Sequence, residues 1–218
     1  MNTNGQEYHS LPSMKLRSLC LLASLVVTAV AASAQSVKYQ AQPGGKLKMD
    51  GTSTLHDWTV ESSLIGGTLE WDAAFEAAPK PGKVPGARVE STLLVRSLKS
   101  GKSAMDAVMQ DAMKAEANPK ISYKLTELTL KAAAKSPADA MQFDSQGEIT
   151  VSGVTKPLVM PVTMTRDGDK LKITGKTTLK MTDHGIKPPA PAVGLGLIKT
   201  GDEVKISFEW VTKKSAAQ

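Results

Sequence analysis

Gly147-Glu-Ile-Thr-Val-Ser-Gly-Val-Thr-Lys-Pro-Leu-Val-Met-Pro-Val162 decides the fold. Ile149 and Val151 alternate with polar residues, the pattern of a strand with one buried face. Gly153 admits the backbone angles of a tight turn, and Leu158, Met160, Val162 and Met164 then resume the alternation. Two antiparallel strands joined near Gly153 follow. Pro157 and Pro161 have no N–H to give a further neighbour, so the second strand is expected at an edge or beside a bulge.

The same period of two recurs outward from this hairpin, punctuated by Gly and Pro. Candidate strands fall at 37–42, 46–51, 56–65, 68–75, 87–98, 121–131, 141–152, 158–166, 170–182 and 204–212. Val204, Ile206, Phe208 and Trp210 share one face against Lys205, Ser207 and Glu209. Leu171, Ile173, Leu179 and Met181 likewise oppose Lys170, Lys172, Lys176 and Lys180, whose lysines form a solvated stripe suited to transient contact with anionic membrane surfaces. Long antiparallel strands wet on one side make the chain all-β. One segment breaks the pattern. Met105, Val108, Met109, Ala112 and Met113 fall at i, i+3, i+4, i+7 and i+8, a short amphipathic helix that Ser100 or Ser103 would cap and Asn118-Pro119 would stop. The Pro- and Gly-rich stretches 78–86 and 188–196 are expected as rim loops. A barrel of about eight strands removes exposed edges and either fills itself or holds one small ligand. Periodicity alone does not choose between the two.

Compartment is written at the N-terminus. Lys15 and Arg17 precede an apolar stretch at 19–30, too short to span a bilayer, and Ala32-Ser33-Ala34 offers small residues for cleavage. Residues 1–34 are therefore expected as a signal peptide, with Met1 to Ser13 an over-extended start or a simple leader. The mature domain, 35–218, is expected in the periplasm or secreted. The single cysteine, Cys20, lies inside the signal, so the mature domain has no disulfide, thiolate nucleophile or thiolate metal site. The whole chain carries 27 basic against 21 acidic residues, and loss of Lys15, Arg17 and Glu7 leaves 25 against 20. No arginine run or interleaved aromatics accompany that mild excess, which argues against nucleic acid as a partner.

Further stretches carry a family likeness. Ser53-Thr54-Leu55-His56-Asp57-Trp58-Thr59-Val60 reads as a first long strand bearing His-Asp-Trp. Ser97-Leu98-Lys99-Ser100-Gly101 with Asp106, then Asn118-Pro119-Lys120-Ile121, Asp183-His184-Gly185-Ile186 and Gly201-Asp202-Glu203-Val204 follow in order across 37–213. Together with the Gly-Val-Thr-Lys-Pro hairpin they resemble the YceI-like family of polyisoprenoid-binding proteins. His184 departs from the aromatic, such as Phe, that the family pattern has there. The resemblance implies a lipocalin-like barrel around a long apolar channel, and a lipid carrier rather than a catalyst.

On that basis the expected channel lining is Trp58, Val60, Leu93, Val95, Ile121, Tyr123, Leu125, Ile149, Val151, Met160, Val162, Ile173, Phe208 and Trp210. Eight methionines remain in the mature domain, and flexible thioethers suit an irregular apolar tail as well as they suit a dry core. The helix methionines either plug one end of the barrel or pack the helix across its surface. His56 and His184 are expected near the mouth, as structural groups or headgroup contacts. Neighbouring strand residues point to opposite faces, so each His-Asp pair could give only one side chain to a shared metal, and none is expected. No Gly-x-Ser-x-Gly elbow exists and no catalytic residue is assigned. The expected ligand is a long-chain isoprenoid or amphipathic lipid, with no other cofactor. The alternatives are a quinone-binding accessory to a membrane redox system, or a filled barrel serving as an envelope interaction module. Oligomeric state, a dimer included, is open.

Overall fold

The starting hairpin forms as its sequence dictates. In the computed structural model, which describes residues 1, 5, 35–134, 136, 139–190 and 197–216, β8 (Met141–Val151) and β9 (Val154–Asp167) are joined by two residues. Both have positive φ, 51° at Ser152 and 80° at Gly153, the signature of a type I′ turn that matches strand twist. Apart from Met1 and Gly5, the segment read as an export signal lies outside the described residues, as does the 191–196 part of the second rim loop.

Antiparallel pairing runs outward from this hairpin until the sheet meets itself. On one side stand β7 (Lys120–Ala132), β6 (Arg88–Leu94) and β4 (Ile65–Asp72). On the other stand β10 (Lys170–Lys180) and β11 (Thr200–Lys214). β1 (Ser36–Ala41) pairs with both β4 and β11, closing an eight-stranded antiparallel barrel. β2 (Lys46–Ser53) continues along β11 beyond β1, and β3 (Trp58–Ser62) pairs with β2 as an outlying ribbon. The two-residue β5 (Gly82–Lys83) pairs with β7 inside a stretch expected as plain loop.

Proline chemistry shapes one wall. β9 pairs with β8 from Val154 to Met164, yet its pairing with β10 starts only at Val162 opposite Gly175. Pro157 and Pro161 occupy the half of β9 that lacks the second neighbour, as the missing N–H requires.

Several expected strands end early. The span 56–65 divides into β3 and β4, leaving His56 in a connecting loop. The span 68–75 gives way to a five-residue helix, α1 (Ala73–Ala77), because Asp72 caps it by accepting from Ala74 N at 2.7 Å. The amphipathic helix forms as α2 (Ser103–Ala112). Its N-cap is Lys102, with no side-chain cap, so neither Ser100 nor Ser103 caps it. The Ser100 hydroxyl instead donates to the Asp106 carboxylate at 2.6 Å, and the Ser100 N–H donates to the same oxygen at 2.7 Å.

Candidate functional site

The barrel is filled at one end and hollow at the other. At the filled end Tyr39, Trp71, Phe75 and Phe143 stack edge to face, with centroid separations of 5.7, 5.4 and 6.5 Å. α1 carries Glu76 over this stack. Its carboxylate accepts from Trp71 Nε1 at 2.6 Å, Tyr39 OH at 2.7 Å and Arg166 Nη1 at 2.7 Å. Burial alone would raise the Glu76 carboxyl, but these donors outweigh it and hold the group below the usual carboxylate range. Burial, reinforced by the bond to Glu76, pushes the Tyr39 phenol up to about 12. The base of the barrel is thus a neutral phenol and a locked ion pair.

Beyond Trp210, Met164 and Leu128 the interior opens into a cavity of about 530 Å³. Its wall is apolar. β3 contributes Trp58 and Val60, β6 Leu93, and β7 Ile121, Tyr123 and Leu125. β8 gives Ile149 and Val151, β9 Met160 and Val162, β10 Ile173, and β11 Phe208 and Trp210. Val95 is the exception among the residues named from sequence. It begins a 3₁₀ turn (Val95–Ser97) that breaks the alternation, and it is fully buried in packing away from the cavity. Sequence reasoning passed over Leu47 and Met49 of β2, and Leu158, Met164 and Leu179, although their i, i+2 spacing carries the same signal.

α2 settles the placement of the methionines. Met105 and Met109 line the cavity from the helix and Met113 from its C-cap, so α2 roofs the hollow end rather than crossing the outer surface. Met49, Met160, Met164 and Met181 also line it, whereas Met141 packs outside the cavity.

Three aromatic rings keep the lumen open by lying across glycines. Trp58 faces Gly51 on β2, and a Cβ at Gly51 would overlap its indole. Phe208 faces Gly175 on β10, where a Cβ would stand 2.6 Å from the ring. A Cβ at Gly147 would stand 2.5 Å from the Tyr123 hydroxyl. Each glycine provides a seat on the wall for a ring that would otherwise occupy the interior.

Polar groups are few and placed unevenly. Tyr123 OH and Ser145 Oγ bond each other at 2.6 Å within the wall; burial raises the phenol, and the serine bond opposes it. Among the described residues the charged side chains on the wall are Lys102 and Lys180, and no carboxylate joins them. Both histidines reach the wall, in different surroundings. His56 is exposed, with Nδ1 2.8 Å from the Asp57 carbonyl. His184 is 3% exposed, and its Nδ1 lies 3.1 Å from the Val154 carbonyl, which can only accept, so Nδ1 carries the proton. No group of three His, Cys, Asp or Glu capable of holding a metal ion is assembled among the described residues.

An enclosed apolar wall of this kind can solvate an apolar molecule. A family model described as YceI-like domain matches residues 30–212. A UPF0312 protein of Pseudomonas savastanoi pv. phaseolicola is 28% identical over 162 residues, covering 70% of this chain and 76% of the relative. Among solved structures, a polyisoprenoid binding domain from Saccharophagus degradans superposes with a TM-score of 0.63 at 10% identity, over 83% of this chain and 100% of that domain. Burkholderia cenocepacia BcnA gives 0.58 at 16% identity, over 77% of this chain and 95% of that one.

Proposed function

The chain belongs to the YceI-like domain family, and on that premise we propose that it is an exported, non-enzymatic carrier of a long isoprenoid or similar amphipathic lipid. One observation carries the proposal: the half-hollow barrel, whose apolar wall encloses about 530 Å³. Each methylene transferred from water to such a wall contributes about 0.8 kcal/mol, so a long tail supplies the affinity without directed contacts. Met49, Met160, Met164 and the α2 methionines adapt to branched or straight tails alike. The polar end of the ligand rests at the mouth, where the exposed Lys102, Lys180 and His56 are groups able to meet it. Likeness to a polyisoprenoid binding domain supports the isoprenoid tail. The Lys-Arg, apolar and Ala-Ser-Ala segments of 15–34 support export to the periplasm or beyond.

Native mass spectrometry of the purified protein, before and after organic extraction, tests this reading. A lipid-sized mass difference that extraction removes is expected, and redox activity of the extract would identify the cargo as a quinone. Protein that carries no lipid and takes up none from polyprenol dispersions would refute the carrier function.

A further inference from the structure

We infer that the open end of the barrel is a bilayer-docking surface, in which Leu55, Leu197 and Val108 enter the headgroup region of an anionic phospholipid membrane and Lys102 and Lys180 face its phosphates. The inference rests on the carrier reading and adds where, and against what, the carrier loads. Leu55 is 67% exposed, Leu197 77% and Val108 36%. They surround one aperture. Leu55, Val108, Lys102 and Lys180 all belong to the cavity wall, so each stands where that wall meets solvent. Leu197 is tied to the same rim, because Thr54 Oγ1 donates to the Leu197 carbonyl at 2.7 Å and Thr54 N to the Lys199 carbonyl at 3.0 Å. Leu64, Leu94 and Val159 are exposed as well, but none of them lines the cavity.

The charges on these loops do not all face the opening. Asp106 is held by Ser100 and lies 3.9 Å from Lys99, and Asp202 accepts from Thr182, which leaves both engaged within the protein. Asp57, Asp183 and Glu203 lie on the rim segments but not on the cavity wall. The charged side chains that the cavity wall itself carries, Lys102 and Lys180, are both positive. An apolar collar carrying these two exposed lysines fits a membrane surface rich in phosphatidylglycerol or similar anionic lipid. The physical advantage is continuity. Each methylene that must cross water slows release by about fourfold, and a mouth seated on the bilayer removes that crossing.

Flotation with vesicles of phosphatidylcholine, alone or with about one third phosphatidylglycerol, tests the surface. The protein is expected to float with the mixed vesicles and far less with the neutral ones. Leu55→Ser combined with Leu197→Ser should lower the bound fraction about tenfold or more, given the apolar area lost. Lys102→Glu combined with Lys180→Glu should abolish the preference for anionic vesicles, each lysine being worth about a fivefold factor. Val159→Ser removes an equally exposed residue from outside the cavity and should change nothing. The proposal is overturned if the protein floats with neither vesicle, which would leave the aperture to a protein partner. Equal flotation with both vesicles overturns it too, as does a loss in Val159→Ser matching that of the leucine pair. Native mass spectrometry on the same preparations separates the two readings. Lipid-loaded protein that ignores vesicles defeats docking alone, whereas lipid-free protein that still floats and loses flotation with the leucine pair upholds docking and defeats the carrier.

Discussion

Gly175→Ala puts the hollow interior to a direct test. The new Cβ would stand 2.6 Å from Phe208 Cε1 and 3.2 Å from Val162 Cγ1. Carbon atoms settle at about 3.5–4.0 Å, so the ring must retreat by about 1 Å. Lumen lies on its other side, and the ring can swing there with little resistance. Overpacking then costs about 1 kcal/mol, near the bottom of its usual range, and melting falls by about 3 °C. Capacity is what suffers, because Phe208 now occupies volume that the ligand needs. Gly51→Ala provides the contrast. Its Cβ would overlap three atoms of the Trp58 indole, and that ring is pinned by its Nε1 donating to the Thr52 carbonyl at 3.1 Å. With no easy retreat, about 3 kcal/mol and about 10 °C are expected. Differential scanning calorimetry gives the two melts, and native mass spectrometry gives the lipid load. Equal melting losses in the two variants would refute the reasoning, as would an undiminished load in Gly175→Ala. Adding Phe208→Leu to Gly175→Ala should restore the load, since the two residues act through one contact.

Glu76 should make stability pH-dependent in a definite direction. Its carboxyl is held low in the folded state, so its contribution is present above the ordinary carboxylate range and is lost as pH falls through and below it. Glu76→Gln should cost about 3 kcal/mol at neutral pH and erase that part of the acid sensitivity, seen as the difference between wild-type and variant melts from pH 7 to 3. Asp106→Ala removes the acceptor of two Ser100 bonds and frees the start of α2. About 1–2 kcal/mol of stability should be lost, with faster amide exchange confined to α2 and faster lipid release. Met160→Lys places a cation in the cavity wall, and lipid load should fall by a larger fraction than stability, since the hollow admits water around the charge. A variant that simply fails to fold would mark the site as dry core.

The strands, the hairpin turn and most of the cavity wall were legible because one rule governs them. Alternation places Ile149, Met160, Ile173 and Phe208 on the inner face whatever the partners are. Pro157 and Pro161 even foretold the interrupted pairing of β9, since a missing N–H is a property of the residue itself. Val95 misled because alternation persists on paper through a 3₁₀ turn that only its neighbours impose. α1 escaped notice for a similar reason: five residues are too few to show a helical period, and the capping role of Asp72 depends on where β4 stops. The boundary between packed base and hollow top was not legible at all. Phe75 and Phe208 look alike in sequence, and only the closure of the sheet sends one into a stack and the other onto a glycine.

The Glu76–Arg166 closure makes the barrel a cul-de-sac. With Tyr39 and Trp71 bonded to the same carboxylate, a thread cannot be drawn through from end to end. Whatever goes in must come out backwards through the aperture under α2, leading end last. Residence time then depends on the doorway as well as on the depth of the hold. A carrier built this way can lengthen its grip by adding contacts at the base, or quicken its exchange by loosening one helix, and neither change disturbs the other.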